Sequence, residues 1–268
     1  MRNVGQLAEL RDKIAALERR PVLAEGAALL GARAPDHMPF VTPAGILQEV
    51  FADEQRDGGA AFGFALGLAR PLLTESRPAL LFLQLAHQGQ DVGLPYGPGL
   101  EGFGLPAARL VIARLETVVE LLWAAEEAIA CRAVAAVIVE VLGTPKALDF
   151  TVSRRLSLRA ASGGTSILLL RYGLEREASA ARLRWHVGAA LSQPPPFDAR
   201  APGRGRWQVR LEKGQPGRMA AGTEWLLDWT DNGFFPVSAR EDGAGAAARA
   251  ALSGASSAAL GDRLSEAS

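Results

Sequence analysis

The sequence predicts an α/β domain: a mainly parallel sheet flanked by helices, continued by antiparallel strands toward the C-terminus. Three observations point there. Between residues 46 and 170, apolar runs of strand length alternate with longer segments of helical periodicity, as in a parallel sheet covered by helices on both faces. After Ala178 the pattern changes to strict alternation of apolar and polar residues, which suits strands buried on one face only. Finally, 268 residues with 49% hydrophobic and 22% charged side chains have the composition of a globular chain. A chain of that length buries roughly 70–75% of its unfolded surface and needs neither disulfide nor metal to stay folded.

Taken in order, Leu7, Leu10, Ile14 and Leu17 recur at spacings of three and four and predict an amphipathic helix that Pro21 stops. It forms an N-terminal unit of residues 1–21, and either docks on its own core or is offered to a partner. The core, residues 22–237, opens with strands at Ile46–Phe51, Ala79–Leu85, Leu110–Ala113, Ala135–Val141 and Ser166–Leu170. Helices lie between them at Ala60–Leu73, Thr117–Cys131 and Asp149–Ala161, the last released by Gly163-Gly164. The alternating part places Leu183, Trp185 and Val187, then Trp207, Val209 and Leu211, then Trp225, Leu227 and Trp229 on one face of antiparallel strands. A Pro- and Gly-rich loop, Ser192–Gly205, interrupts them. Residues 238–268, rich in Ala, Gly and Ser, read as a weakly helical or disordered tail.

Charge and cysteine usage exclude several classes. Lys+Arg and Asp+Glu are 29 each, so no global basic field captures nucleic acid, and any DNA contact is local or borrowed from a partner. The arginine bias over lysine matches a GC-rich coding sequence and carries no function. Glu120, Glu126, Glu127, Arg132 and Glu140 break the most apolar stretch, Val118–Leu142, so no membrane span is expected. A single cysteine, Cys131, suits a reducing, cytoplasmic setting.

The first strand, Leu47–Phe51, leads through a turn into the helical run Phe62–Leu73, the layout of a phosphate-binding loop. The chemistry of such a loop is missing. No Gly-Lys pair occurs in the sequence, and no Ser or Thr stands at the helix start to ligate magnesium. Asp53, Glu54 and Asp57 face a single Arg56, so the turn's field repels a triphosphate. Gly58 and Gly59 form either a plain tight turn or a small anion nest. Glu140 ends an apolar strand where an aspartate commonly holds the magnesium shell, and without a Ser/Thr opposite it reads as a hydrogen-bonding relic. No cofactor is implied.

Other chemistries find little support. His37, His87 and His186 are far apart, and no metal-ligand spacing occurs. There is no Gly-x-Ser-x-Gly elbow, and Cys131, at the end of an apolar helix, is expected to be buried and unreactive. Glu126 and Glu127 point in adjacent directions on a helix and read as ordinary polar positions. Arg154, Arg155 and Arg159 share a helix and either meet phosphates or form a solvated face. Tyr96, in Gly93-Leu94-Pro95-Tyr96-Gly97-Pro98-Gly99, either packs or meets a partner. The tryptophans line a buried face or stack bases.

Leu47–Phe51, Val137–Glu140 and the segment between them resemble a RecA-like, P-loop-type core. More specifically, the chain resembles the ImuA family of bacterial inducible-mutagenesis accessory proteins over roughly Leu7–Trp229. The pieces are Glu49-Val50-Phe51 followed by Asp57-Gly58-Gly59-Ala60-Ala61, then Leu122-Trp123-Ala124-Ala125-Glu126-Glu127-Ala128, Asp149–Leu158, Ala178–Arg184 and Trp225–Trp229, in that order. The resemblance implies a protein that works with ImuB, an inactive relative of Y-family polymerases, and with an error-prone C-family DNA polymerase to copy past lesions in the damage response. It also implies a link to RecA. RecA binds single strands with long loops, and the corresponding connection here, about Tyr172–Glu177, is too short to line a DNA channel. The expected function is therefore a non-catalytic scaffold, associated with the nucleoid during damage. Two alternatives stand beside it: a divergent RecA/RadA-type ATPase using Gly58, Gly59 and Glu140, and a regulator that caps RecA filaments.

Overall fold

The computed structural model describes residues 40, 43–89, 93–195, 198, 200–214 and 221–237. The predicted helix of Leu7, Leu10, Ile14 and Leu17 and the tail from residue 238 lie outside the described residues. The elements are β1 (Leu47–Ala52), α1 (Gly58–Ala69), β2 (Ala79–Leu85), α2 (Gly97–Gly102), β3 (Leu110–Leu115), α3 (Val118–Ala130), β4 (Val134–Val141), α4 (Phe150–Gly163), β5 (Ser166–Tyr172), β6 (Leu183–Ala189), β7 (Arg206–Lys213), β8 (Glu224–Thr230) and β9 (Gly233–Pro236). The strands form one sheet in the order β3-β2-β4-β5-β1-β6-β7-β8-β9, parallel from β3 to β6 and antiparallel from β6 to β9.

Local signals set the helix ends. Thr117 caps α3 by accepting from the Glu120 N–H, and Glu120 returns a bond to the Thr117 N–H, a reciprocal capping box. Asp149 accepts the Val152 N–H at the start of α4, and Gly164 ends that helix at φ 69°. Helix α1 is apolar throughout (GGAAFGFALGLA) and accordingly buried. Its α-helical part stops at Ala69 rather than running to Leu73: Pro71 brings no N–H, and the chain tightens into a 3₁₀ turn over Arg70–Leu72.

The central strands β1, β2, β4 and β5 send alternate residues to two cores, and β6 adds to one of them. Val50, Phe82, Ile138, Leu168, Leu170 and Trp185 meet α1 on one face, and Leu47, Leu83, Val137, Val139, Ile167 and Leu169 meet α3 and α4 on the other. The buried reading of the tryptophans holds. Trp185, Trp207 and Trp229 are fully or almost fully buried and join Phe40, Phe64, Trp225 and Phe234 in an aromatic wall around α1. Base stacking on them is thereby overturned.

The strand after Ala178 differs from the expected antiparallel arrangement. β6 begins only at Leu183 and runs parallel to β1, with Gln48 opposite Leu183 and Phe51 opposite His186. Residues 173–182 make this possible by returning from the end of β5 to the start of β6 across the face of β1 that carries Glu49. Ser179 Oγ donates to Glu49 at 2.7 Å, the Ala180 N–H donates to Ser153 Oγ, and the Arg182 N–H donates to the Leu47 carbonyl. This connection buries Glu49 where a crossover helix would ordinarily lie. Arg184 closes on Glu49 at 2.8 Å, and the guanidinium of Arg176 sits 4.1 Å from the Phe51 ring centre.

Candidate functional site

The carboxyl ends of parallel strands are where open α/β sheets bind ligands, and the described residues form a cavity of about 350 Å³ there, between the first half of α1, the ends of β2 and β4, and the segment Gly93–Phe103. Gly58, Gly59 and Glu140, far apart in sequence, all line it.

The turn from β1 to α1 is closed on itself. Asp57 N–H donates to the Glu54 carbonyl at 3.0 Å, and the Gly58 N–H donates to the Gln55 carbonyl, so a 3₁₀ turn over Gln55–Asp57 runs directly into α1. Those are N–H groups that a phosphate-binding loop turns toward its ligand. The turn's charges are engaged sideways: Arg56 pairs with Glu54 at 2.9 Å, and Asp53 lies 2.9 Å from His186 Nε2 and 3.7 Å from Arg176.

Glu140 is 3% exposed. One carboxylate oxygen accepts from the Tyr172 hydroxyl and the other from Gln84 Nε2, both at 2.6 Å. Gln84, Glu140 and Tyr172 stand on adjacent strands β2, β4 and β5, on the α1 face, so their row follows from strand register. Burial, then the Glu140 charge and hydrogen bond, push the Tyr172 hydroxyl well above the ordinary tyrosine range, so it remains a donor. Gln84 Nε2 also donates to the Gly93 carbonyl at 3.0 Å and ties the cavity wall to its floor. The remaining lining is apolar, chiefly Phe62, Leu66, Phe82, Leu100 and Phe103, with Leu94 and Tyr96 exposed at the rim.

Sequence reasoning missed Gln84 and Tyr172. A polar residue inside the otherwise apolar run Ala79–Leu85 was the available signal for the first; nothing local marks Tyr172 as the partner of Glu140. Tyr96 forms part of the rim, 73% exposed.

The arginines lie elsewhere. Arg154, Arg155 and Arg159 are on α4, on the opposite side of the sheet from the cavity. Arg155 Nε donates to Glu126 at 2.5 Å and Arg159 lies 3.6 Å from the same carboxylate, joining α4 to α3, while Arg154 is exposed. Glu126, read as an ordinary polar position, is thus a buried anchor at 8% exposure, whereas its neighbour Glu127 is exposed. Cys131 is exposed rather than buried, because it follows the last residue of α3 and leaves the packed face of that helix. Among the described residues no group of three or more His, Cys, Asp or Glu side chains could hold a metal ion, and no helix is long and apolar enough to cross a membrane.

No family model matches the chain. Protein ImuA of Caulobacter vibrioides strain NA1000 / CB15N is 33% identical to it over 193 residues, spanning 68% of this chain and 73% of the relative. Protein ImuA of strain ATCC 19089 / CIP 103742 / CB 15 matches with the same identity and coverage. At that identity, over most of both lengths, the chain belongs to the ImuA family.

Proposed function

We propose that this chain is a non-catalytic accessory protein of damage-induced translesion DNA synthesis. It acts by holding proteins together: an ImuB-type inactive Y-family relative, an error-prone C-family polymerase, and RecA. DNA is met through these partners. The observation that carries the reading is the state of the strand-turn-helix site, where the N–H groups of Asp57 and Gly58 are spent in a 3₁₀ turn. A triphosphate-magnesium complex needs outward-pointing N–H groups, a cation and a Ser or Thr oxygen on the metal. The described lining of the cavity contains no Lys or Arg and presents one carboxylate.

The test is recovery of the tagged chain from DNA-damaged cells with mass spectrometry of its companions, alongside a thermal-shift assay with ATP and magnesium. Co-recovery of an ImuB-type protein and a C-family polymerase, with no nucleotide shift, is the expected outcome. A magnesium-dependent ATP shift accompanied by hydrolysis would make the chain an enzyme and overturn the non-catalytic reading.

A further inference from the structure

The cavity beside Glu140 combines features that specify an occupant. Its walls are aromatic and aliphatic, its floor is a carboxylate that is almost wholly buried, and its rim carries Leu94 and Tyr96 at 52% and 73% exposure. The two groups bonded to that carboxylate, the Gln84 amide and the Tyr172 hydroxyl, are both neutral, and Glu140 makes no ion pair among the described residues. A desolvated carboxylate without a cation is costly, and a planar cation with several donors relieves that cost best. Anionic ligands meet repulsion at the floor. A guanidinium is flat, weakly hydrated and stacks on aromatic rings, which Phe62, Phe82 and Phe103 supply in the walls.

We propose that this cavity receives an arginine side chain from a partner protein, whose flanking apolar residues cover Leu94 and Tyr96. The exposed apolar rim favours a side chain presented by a protein segment over a free small cation, because a free cation leaves the rim in water. Charge complementarity at the floor selects arginine, and the apolar rim selects the segment that carries it. The inference rests on the scaffold reading above and gives one of its contacts a place and a chemistry.

Binding of capped tripeptides to the purified full-length chain, followed by NMR or calorimetry, tests it. Acetyl-Leu-Arg-Leu-amide is expected to bind saturably. Its citrulline counterpart, equal in shape but uncharged, is expected to bind about tenfold more weakly or worse, and the glutamate counterpart not at all. Glu140→Gln should bring the arginine peptide down to the citrulline level. Gly59→Leu provides a second variant: Gly59 lines the cavity and a Cβ there meets nothing within 4 Å, so a larger side chain is tolerated at the cavity wall away from the carboxylate, and both peptides should be weakened alike. Equal binding of arginine and citrulline peptides, indifference to Glu140→Gln, or no binding of the arginine peptide overturns the proposal. Benzamidine binding more tightly than the peptide overturns the partner-segment source. ATP in competition separates the two levels of inference: ATP displacing the peptide with magnesium-dependent hydrolysis refutes the non-catalytic reading, whereas peptide failure without ATP binding refutes only the arginine site.

Discussion

Replacing Gly67 by alanine sets two effects of opposite sign against each other on one helix. In a helix interior, Gly→Ala ordinarily stabilises by about 0.8–1.0 kcal/mol, because glycine loses more backbone entropy on folding. At Gly67 the added Cβ would lie 2.4 Å from two ring carbons of Phe234 and 2.9 Å from the Trp229 ring. The Phe234 ring is held on one side, its centre 5.1 Å from those of Phe64 and Trp229 and 5.4 Å from that of Trp207, so it clears the Cβ only by giving up that packing and turning toward the cavity it lines with Phe40 and Leu73. Overpacking of this kind costs about 1–3 kcal/mol, and contacts this short place it in the upper half of that range. The net result is a loss of about 1–2 kcal/mol. For a domain of this size that lowers the melting temperature by roughly 2–8 °C. Gly59, on the same helix, supplies the internal control: with open space around its Cβ, alanine there should gain about 0.5 kcal/mol. Gly63 falls between, its Cβ being 3.0 Å from Phe103 and 3.2 Å from Trp207. Urea and thermal unfolding of the three variants should rank them Gly59→Ala, Gly63→Ala, Gly67→Ala from most to least stable. A Gly67→Ala variant as stable as Gly59→Ala would refute the packing of β8 and β9 against α1.

Three further outcomes are expected. Trp185→Phe removes the indole donor to Gln48 Oε1, whose Nε2 is already unpartnered, and should cost about 1–3 kcal/mol in chemical denaturation; no change would mean that Gln48 finds another partner. Gly164→Ala forces a side chain into φ 69° and should cost about 1 kcal/mol or more, seen as a lower unfolding midpoint. Tyr172, one of two tyrosines, holds its proton more tightly folded than unfolded, so its contribution to stability is complete below the unfolded pKa of about 10 and is lost as pH rises above it. Alkaline titration followed by tyrosinate absorbance should show a component that appears only on unfolding and is missing in Tyr172→Phe.

The parallel half of the fold was legible because its signals are local. Strand runs such as Ala135–Val141 are apolar on both faces, Thr117 and Asp149 mark helix starts, and Gly164 marks a helix end. None of these depends on distant contacts. The sidedness of the later strands was legible too, since alternation directly records which face is buried. The direction of β6 was not: alternating residues read the same whether a strand runs up or down, and only the path of residues 173–182 across Glu49 sets it parallel to β1. Exposure at the helix boundary was equally hidden, since Cys131 ends an apolar run yet faces out.

The sequence by itself determined which residue types the strand-turn-helix site can carry, because a Gly-Lys pair and a Ser or Thr at the helix start are absent from the letters. It could not determine what occupies their place. Gln84, Glu140 and Tyr172 come from three strands and meet through register, and the Gly93–Phe103 segment closes a cavity over them by contacts that no local pattern encodes. Residue types depend on the chain alone, whereas the field and shape of a site depend on which distant residues the tertiary fold sets side by side.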